Sequence, residues 1–348
     1  MRLGDALSIK AAATWLPETR ETVTEVIADG RLEPEHEHRV GVTELPVSRD
    51  LAGPQLAARA ARRALEQAAW DPNRVDLLAH AWIYHQGHDF WAPAHYVAHE
   101  AGLRRTLPFG LQHMSNGGAL GLQLAAVRLL ADAGTDSAMV TTGDRFALPG
   151  FDRWAGDYDV VYGDGGTALV LGRRDGDGDL LHMLSFATSA APETENFFRG
   201  RDEFSAAPLT HSRPIDVRRP KKAFLEMGGM VTLKELGLVN VRHVLLESLR
   251  LADVAPADPR IRCVALPRAG DSVYNLMYLP VIEDVLKAEP LFLGRRTGHL
   301  GAGDFIANLA DIIDSGILAP GEIALVVGGG AGYTWSCAAF QAPEKSHG

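Results

Sequence analysis

The chain has 348 residues, 46% of them hydrophobic, and a formal net charge of −10. That suffices for a large core, in one big domain or two fused halves. An acidic chain argues against non-specific nucleic-acid binding. The start, Met1-Arg2-Leu3-Gly4-Asp5, is polar, and no apolar run nears the ~20 residues that cross a bilayer, so a cytoplasmic protein without membrane association is expected.

Residues 8–15 read as a first strand, 19–30 as a polar helical segment and 33–39 as a charged surface loop. A helix dense in Ala and Arg follows at 52–69, and Asp71-Pro72-Asn73 breaks it. Then come a strand at 75–81, a pocket-like aromatic stretch at 82–90, a helix at 92–102 and a short apolar strand at 107–111, read as buried. Residues 119–133 are helical by spacing. Strands are expected at 137–142, 163–171 and 180–188, with a charged hairpin turn at 173–179. Residues 191–220 are irregular, polar and proline-containing, an insertion over a site or a linker. Helices follow at 223–236, 241–252, 275–288 and 305–315. Strands follow at 261–266, 322–327 and 333–340, with glycine-rich loops at 294–304 and 328–332. Alternating strands and helices define an α/β protein, and the order looks similar in the two halves.

Three stretches carry chemistry. Ser115 stands where the 107–111 strand turns into a helix, followed by Gly117 and Gly118. A hydroxyl there faces unpaired N–H groups and the positive end of the helix dipole, which suits a nucleophile whose attack makes an oxyanion. The competing role is a plain N-cap. At 297–304, three glycines surround His299 and Asp304. Such a loop can bring His299 to a hydroxyl while Asp304 takes its other ring nitrogen, giving nucleophile, base and orienting carboxylate. The 328–332 loop is a strand-to-strand turn whose N–H could join that of Ser115 in an oxyanion hole. A phosphate loop fits poorly there, because a strand and not a helix follows.

Other signals are weaker. Trp82, Tyr84, Phe90 and Trp91 could line an aromatic pocket or serve as core or dimer contacts. Arg218, Arg219, Lys221 and Lys222 form a basic cluster, either a solvated face or a docking patch for an acidic carrier protein, with Arg104 and Arg105 as possible additions. His95 and His99 lack the Glu of a zinc protease motif, and Cys263 and Cys337 read as core residues, so neither metal nor cofactor is expected. An α/β-hydrolase would order its residues Ser, Asp, His, whereas here Asp follows His.

Together the three stretches resemble the thiolase fold, and more narrowly beta-ketoacyl-ACP synthase III. Met114-Ser115-Asn116-Gly117 stands where that family has a cysteine turn. Residues 163–171 match its glycine-rich strand, and Gly330-Ala331-Gly332-Tyr333-Thr334-Trp335 is similar to its closing motif. The resemblance implies a layered α-β-α-β-α architecture of two pseudo-repeated halves, 1–172 and 173–348, and a homodimer. It implies an oxyanion hole from the amides of Ser115 and Ala331, or Gly329 on an alternative alignment. It places Arg268 where the family has its His, and His299 where it has its Asn. The enolate-stabilising pair of a condensing enzyme is thus absent. The chain looks instead like the synthase-III-like acyltransferases of antibiotic pathways, such as those of cervimycin, chlorothricin and pactamycin, and its serine resembles that of the daunorubicin starter-unit enzyme. That implies Ser115, His299 and Asp304 as catalytic residues. Arg268, Trp82, Tyr84, Phe90, Arg218 and Arg219 are candidate substrate contacts. The donor would be an acyl thioester on a carrier protein or CoA, and the acceptor a small-molecule hydroxyl or amine. The alternative is a condensing enzyme that primes a polyketide.

Overall fold

The computed structural model describes residues 1–176 and 178–344, so position 177 of the expected turn at 173–179 lies outside the described residues. A ten-stranded sheet runs through it. Its first five strands are β1 (Leu7–Trp15), β2 (Leu77–Ala81), β3 (Leu107–Leu111), β4 (Ser137–Asp144) and β5 (Gly165–Arg173). The next five are β6 (Leu181–Ala190), β7 (Ile261–Ala265), β8 (Glu289–Leu291), β9 (Ile323–Gly330) and β10 (Thr334–Gln341).

Across the sheet the order is β8-β7-β9-β10-β6-β1-β5-β4-β2-β3. Read outward from the centre, each half runs first, fifth, fourth, second, third. Directions repeat as well. In each half the second strand is parallel to the third and fourth, and the fifth is antiparallel to the first and fourth. The halves join where β1 meets β6 at Ser8–His182 and Ile9–Leu181.

The helices that place the site are α1 (Gly53–Ala68), α2 (Gly117–Ala131), α3 (Arg218–Glu226), α4 (Gly229–Ala252) and α5 (Asp304–Ser315). Side chains alternate across a strand, so each half presents two apolar faces. On the outer face of the first half, Ala57, Ala61 and Leu65 of α1 pack with Ala11, Ala168 and Val170. On that of the second, Val241, Leu245 and Leu249 of α4 pack with Ala187, Leu325 and Cys337. Between the halves, α2 supplies Ala119, Leu122 and Ala126, and α5 supplies Phe305, Ile306 and Leu309, to one core with Ile9, Phe186 and Val326. The layers are helix, sheet, helix, sheet, helix, as expected for a thiolase-like fold.

Several elements differ from their sequence reading. Residues 19–30 begin with strand Arg20–Thr22, paired to Glu44–Pro46, before helix Val23–Ala28 starts at a Thr22/Glu25 capping box. The 33–39 loop is a 3-10 turn, Pro34–His36, running into a helical turn, Glu37–Val40. The two helices read at 223–236 and 241–252 are divided at Gly228, whose φ is 82°, and α4 is unbroken beyond it. Gly237 lies inside α4 without breaking it, with Met277 packed closely against it. The 275–288 helix is interrupted by a π turn at Tyr274–Tyr278 and ends at Val285, and β8 follows, too short and proline-bearing to show a period. β3 is an edge strand and not a buried one, with Leu107 60% exposed. Gly328 to Gly330 belong to β9, which confines the turn to 331–333. No helix among the described residues is long and apolar enough to cross a membrane. Both cysteines are buried, which pushes Cys263 up to about 11 and Cys337 to about 12, so neither is a thiolate at neutral pH.

Candidate active site

The chain leaves β3 at Leu111, makes a 3-10 turn at Met114–Asn116 and enters α2 at Gly117. Met114 has a φ of 47°, a left-handed conformation uncommon for a residue with a side chain, and it lies directly before Ser115. No side-chain hydrogen bond caps α2. The Ser115 hydroxyl goes elsewhere: its Oγ lies 2.7 Å from Nε2 of His299.

His299 comes from the other half, on the loop before α5. Its Nδ1 lies 2.6 Å from Oδ2 of Asp304. A carboxylate only accepts, so the proton sits on Nδ1 and Nε2 is left to accept from the serine O–H. Asp304 is fixed in turn: Oδ1 accepts from the Leu300 N–H at 2.8 Å and Oδ2 from the Arg268 N–H at 2.9 Å. It opens α5, where the helix dipole favours negative charge. The His299 backbone is tied down too. Its N–H donates to Val161 O at 2.9 Å, and its carbonyl accepts from Gly163 N–H at 3.0 Å. The loop can fold this tightly because Gly298 and Gly301 adopt φ of 60° and 63°.

Asp144, at the end of β4, links the halves. It accepts from the N–H groups of Ile83, Tyr84 and Ala302 at 2.9–3.0 Å. Burial pushes it up to about 7 in spite of those donors. Burial alone would lower the His299 value. The charge and hydrogen bond of Asp304, with Asp144 and Asp157 beyond, outweigh it and hold His299 above the ordinary imidazole range.

Ser115, His299, Asp304, Arg268 and Ala331 border one cavity of about 170 Å³. The end of β9 lies against the Ser115–Asn116 backbone: a Cβ added to Gly330 would stand 2.6 Å from the Asn116 nitrogen and 3.2 Å from that of Ser115. The Ala331 turn is therefore next to the hydroxyl. Arg268 is at the cavity, but its guanidinium is committed to Asn308, Thr297 and Asp311 at 3.0, 2.8 and 2.5 Å. Its backbone N–H, and not its charge, serves the site.

The remaining candidates lie apart from the hydroxyl. Trp82 stacks on buried His80 with centroids 5.6 Å apart. Tyr84 borders a second cavity of about 370 Å³, beside Met114, Phe146, Phe151 and Tyr162. Phe90 is fully exposed. Arg219 pairs with both oxygens of Asp202, and Arg218 donates to the Asp157 carbonyl. Lys221 is buried and paired to Asp157, whereas Arg219 and Lys222 remain exposed at the surface.

Sequence reasoning missed the groups that surround the imidazole. Tyr162 lies edge-on to His299, centroids 5.2 Å apart, and its O–H donates to Asp157 at 2.8 Å. Tyr162 stands one residue before the matched glycine-rich strand, and Lys221 was read only as part of the basic cluster, while nothing local marked Asp144 or Asp157.

A repeated five-strand order, with the functional groups gathered where the halves meet, defines a thiolase-fold protein. Comparison with known proteins narrows this. Residues 288–342 match the family described as 3-oxoacyl-[acyl-carrier-protein] synthase III C terminal. The beta-ketoacyl-[acyl-carrier-protein] synthase III of Thermosynechococcus vestitus is 27% identical over 317 residues, covering 87% of this chain and 88% of that one. Among solved structures, the acyltransferase ChlB3 superposes with a TM-score of 0.86 at 27% identity, covering 97% of this chain and 98% of that one. The priming beta-ketosynthase of the R1128 polyketide pathway superposes at 0.74 and 19% identity, covering 99% of each chain, a likeness of fold alone. The chain has the thiolase fold and is similar to ketoacyl synthase III over most of its length.

Proposed function

We propose that the protein is an acyltransferase that carries an acyl group from a thioester, through an ester on Ser115, to a hydroxyl or amine of a small acceptor. The observation that carries this reading is the hydrogen-bonded series Ser115–His299–Asp304. Serine is a weak nucleophile and needs an adjacent base, and the base needs an orienting carboxylate. His299 takes the serine proton as Oγ attacks the thioester carbonyl. Amides of Ser115 and of the Ala331 turn would stabilise the oxyanion. The C–S bond breaks and the thiol leaves with the proton. His299 then deprotonates the acceptor, which attacks the ester and releases Ser115. Residues 1–172 thus supply the nucleophile and 173–348 its base.

The cavity wall beyond Ser115 includes Leu225, Met230, Leu233, Leu276 and Met277, an apolar lining suited to the thin arm of a carrier-protein or CoA thioester. The likeness to ChlB3 supports acyl transfer as the class of reaction. A homodimer is part of the proposal: β3 has an outer edge unpaired among the described residues, and Leu124, Val127 and Leu130 of α2 are exposed.

The second reading is a condensing enzyme that primes a polyketide, favoured by the fold likeness to the R1128 enzyme. Condensation needs an enolate held by neutral donors. Arg268 stands at one of those positions with its guanidinium turned to Asn308, Thr297 and Asp311, which supports transfer instead. Incubation with an acyl thioester and malonyl carrier protein separates the two. Transfer predicts an acyl-serine mass and no carbon dioxide. Release of carbon dioxide with a ketoacyl product would establish the condensing reading.

A further inference from the structure

Lys221 and Asp157 form an ion pair that the transfer mechanism does not use, and both border the Ser115 cavity while only 8% and 4% exposed. Lys221 Nζ lies over Phe197 and Phe198, 5.1 and 4.7 Å from the ring centroids. Asp157 also accepts from the Tyr158 N–H at 2.6 Å and from the Tyr162 O–H at 2.8 Å. Tyr162 in turn meets the His299 ring edge-on, and the backbone on either side of it holds the His299 peptide. An unbroken series of contacts therefore runs from α3 through Lys221, Asp157 and Tyr162 to the imidazole. Desolvating two charges is costly, and a buried ion pair is often no more stable than an apolar replacement. Stability alone is a poor reason to place one beside a cavity holding a histidine.

We propose that Lys221, Asp157 and Tyr162 are positioning residues for His299: the phenol fixes the ring, and the lysine offsets part of the aspartate charge that the imidazolium feels. The inference rests on the transfer mechanism above, in which His299 becomes charged as Ser115 attacks. The other groups facing His299 are already committed. Asp304 and Asp144 are held by backbone N–H donors, and Arg268 is paired with Asp311. Tyr278 and Tyr333 on the cavity wall stay neutral, since burial raises both. The Asp157–Lys221 pair is then the element whose charge a single substitution can unbalance.

The effect of each variant has a definite sign. Lys221→Gln leaves Asp157 uncompensated and favours the imidazolium, so the His299 midpoint rises. Asp157→Asn leaves the lysine charge alone, so it falls. At protein-like dielectric each change is worth about one pH unit. Lys221→Arg keeps the charge and holds the wild-type midpoint, and the double variant Asp157→Asn/Lys221→Gln returns towards it. A merely structural role would weaken activity in every variant without opposite shifts. The test is the titration of His299 by imidazole 15N NMR, assigned with His299→Gln, alongside the pH dependence of Ser115 acylation by an acetyl thioester of N-acetylcysteamine. Equal midpoints in wild type, Lys221→Gln and Asp157→Asn overturn the proposal. If Asp157→Asn does not fold, Lys221→Gln against Lys221→Arg decides alone. If the wild-type serine takes no acyl group, the transfer reading fails, while the titration still decides this inference.

Discussion

Two opposing effects act on the His299 imidazole. Burial disfavours its charged form, and three carboxylates favour it and prevail. A base must be neutral to take a proton. A raised value therefore moves the acid limb of the acylation rate upward: the rate climbs with pH through a midpoint above the ordinary ~6.5 of histidine. A stopped-flow pH series checks this, and a midpoint at or below the ordinary ~6.5 would contradict it. Asp304→Asn keeps the shape but lets an amide N–H face Nδ1, so the wrong tautomer competes. A fall of about 10²–10⁴-fold in the acylation rate is expected, with the thioester KM little changed. Ser115, His299 and Asp304 were legible as candidates because their glycine-rich turns, ambiguous one by one, together resemble one family's motifs. Lys221 and Asp157 were not, because their pairing spans 64 residues and each looks locally like a solvated charge.

Helices α2 and α5 carry the two sides of the site past each other, and small residues let them approach. A Cβ on Gly118 would stand 2.7 Å from the Ala302 carbonyl, on the loop between His299 and Asp304. Gly118→Ala should therefore cost about 1–3 kcal/mol and slow acylation, since the strain falls on the His299 loop. Calorimetry together with the acylation rate tests this, and an unchanged Tm would show that the loop gives way freely. Arg268→Met makes a contrasting case. It orphans the buried Asn308 Oδ1, at about 1–3 kcal/mol, while Thr297 keeps its bond to the Gly298 carbonyl and the backbone N–H that holds Asp304 stays in place. Its Tm should fall clearly, while acylation falls less than in Asp304→Asn. Elements with a clean helical period, such as α1, or a fully buried run, such as β4, were readable in the sequence. Those set by tertiary contact were not. β8 exists because β7 offers it an edge, and the π turn at Tyr274–Tyr278 is packed into the second-half core rather than encoded by any local period.

At the scale of the whole molecule, two five-strand units of one topology place a hydroxyl and an imidazole 184 residues apart in sequence within hydrogen-bond distance. The repeat was faintly legible in the strand–helix alternation and clear only in the order of the strands, because sheet order depends on pairing that no local pattern records. Under the proposed transfer, a two-sided site of this kind would form a covalent intermediate without any carbanion. The direct measurement is intact mass after mixing with a panel of acyl thioesters, before and after adding alcohol or amine acceptors, for wild type and Ser115→Ala. The account predicts one acyl adduct on Ser115, absent from Ser115→Ala and discharged by an acceptor that gains the acyl group. An adduct that persists in Ser115→Ala, or that discharges only by decarboxylative condensation with malonyl carrier protein, would contradict it.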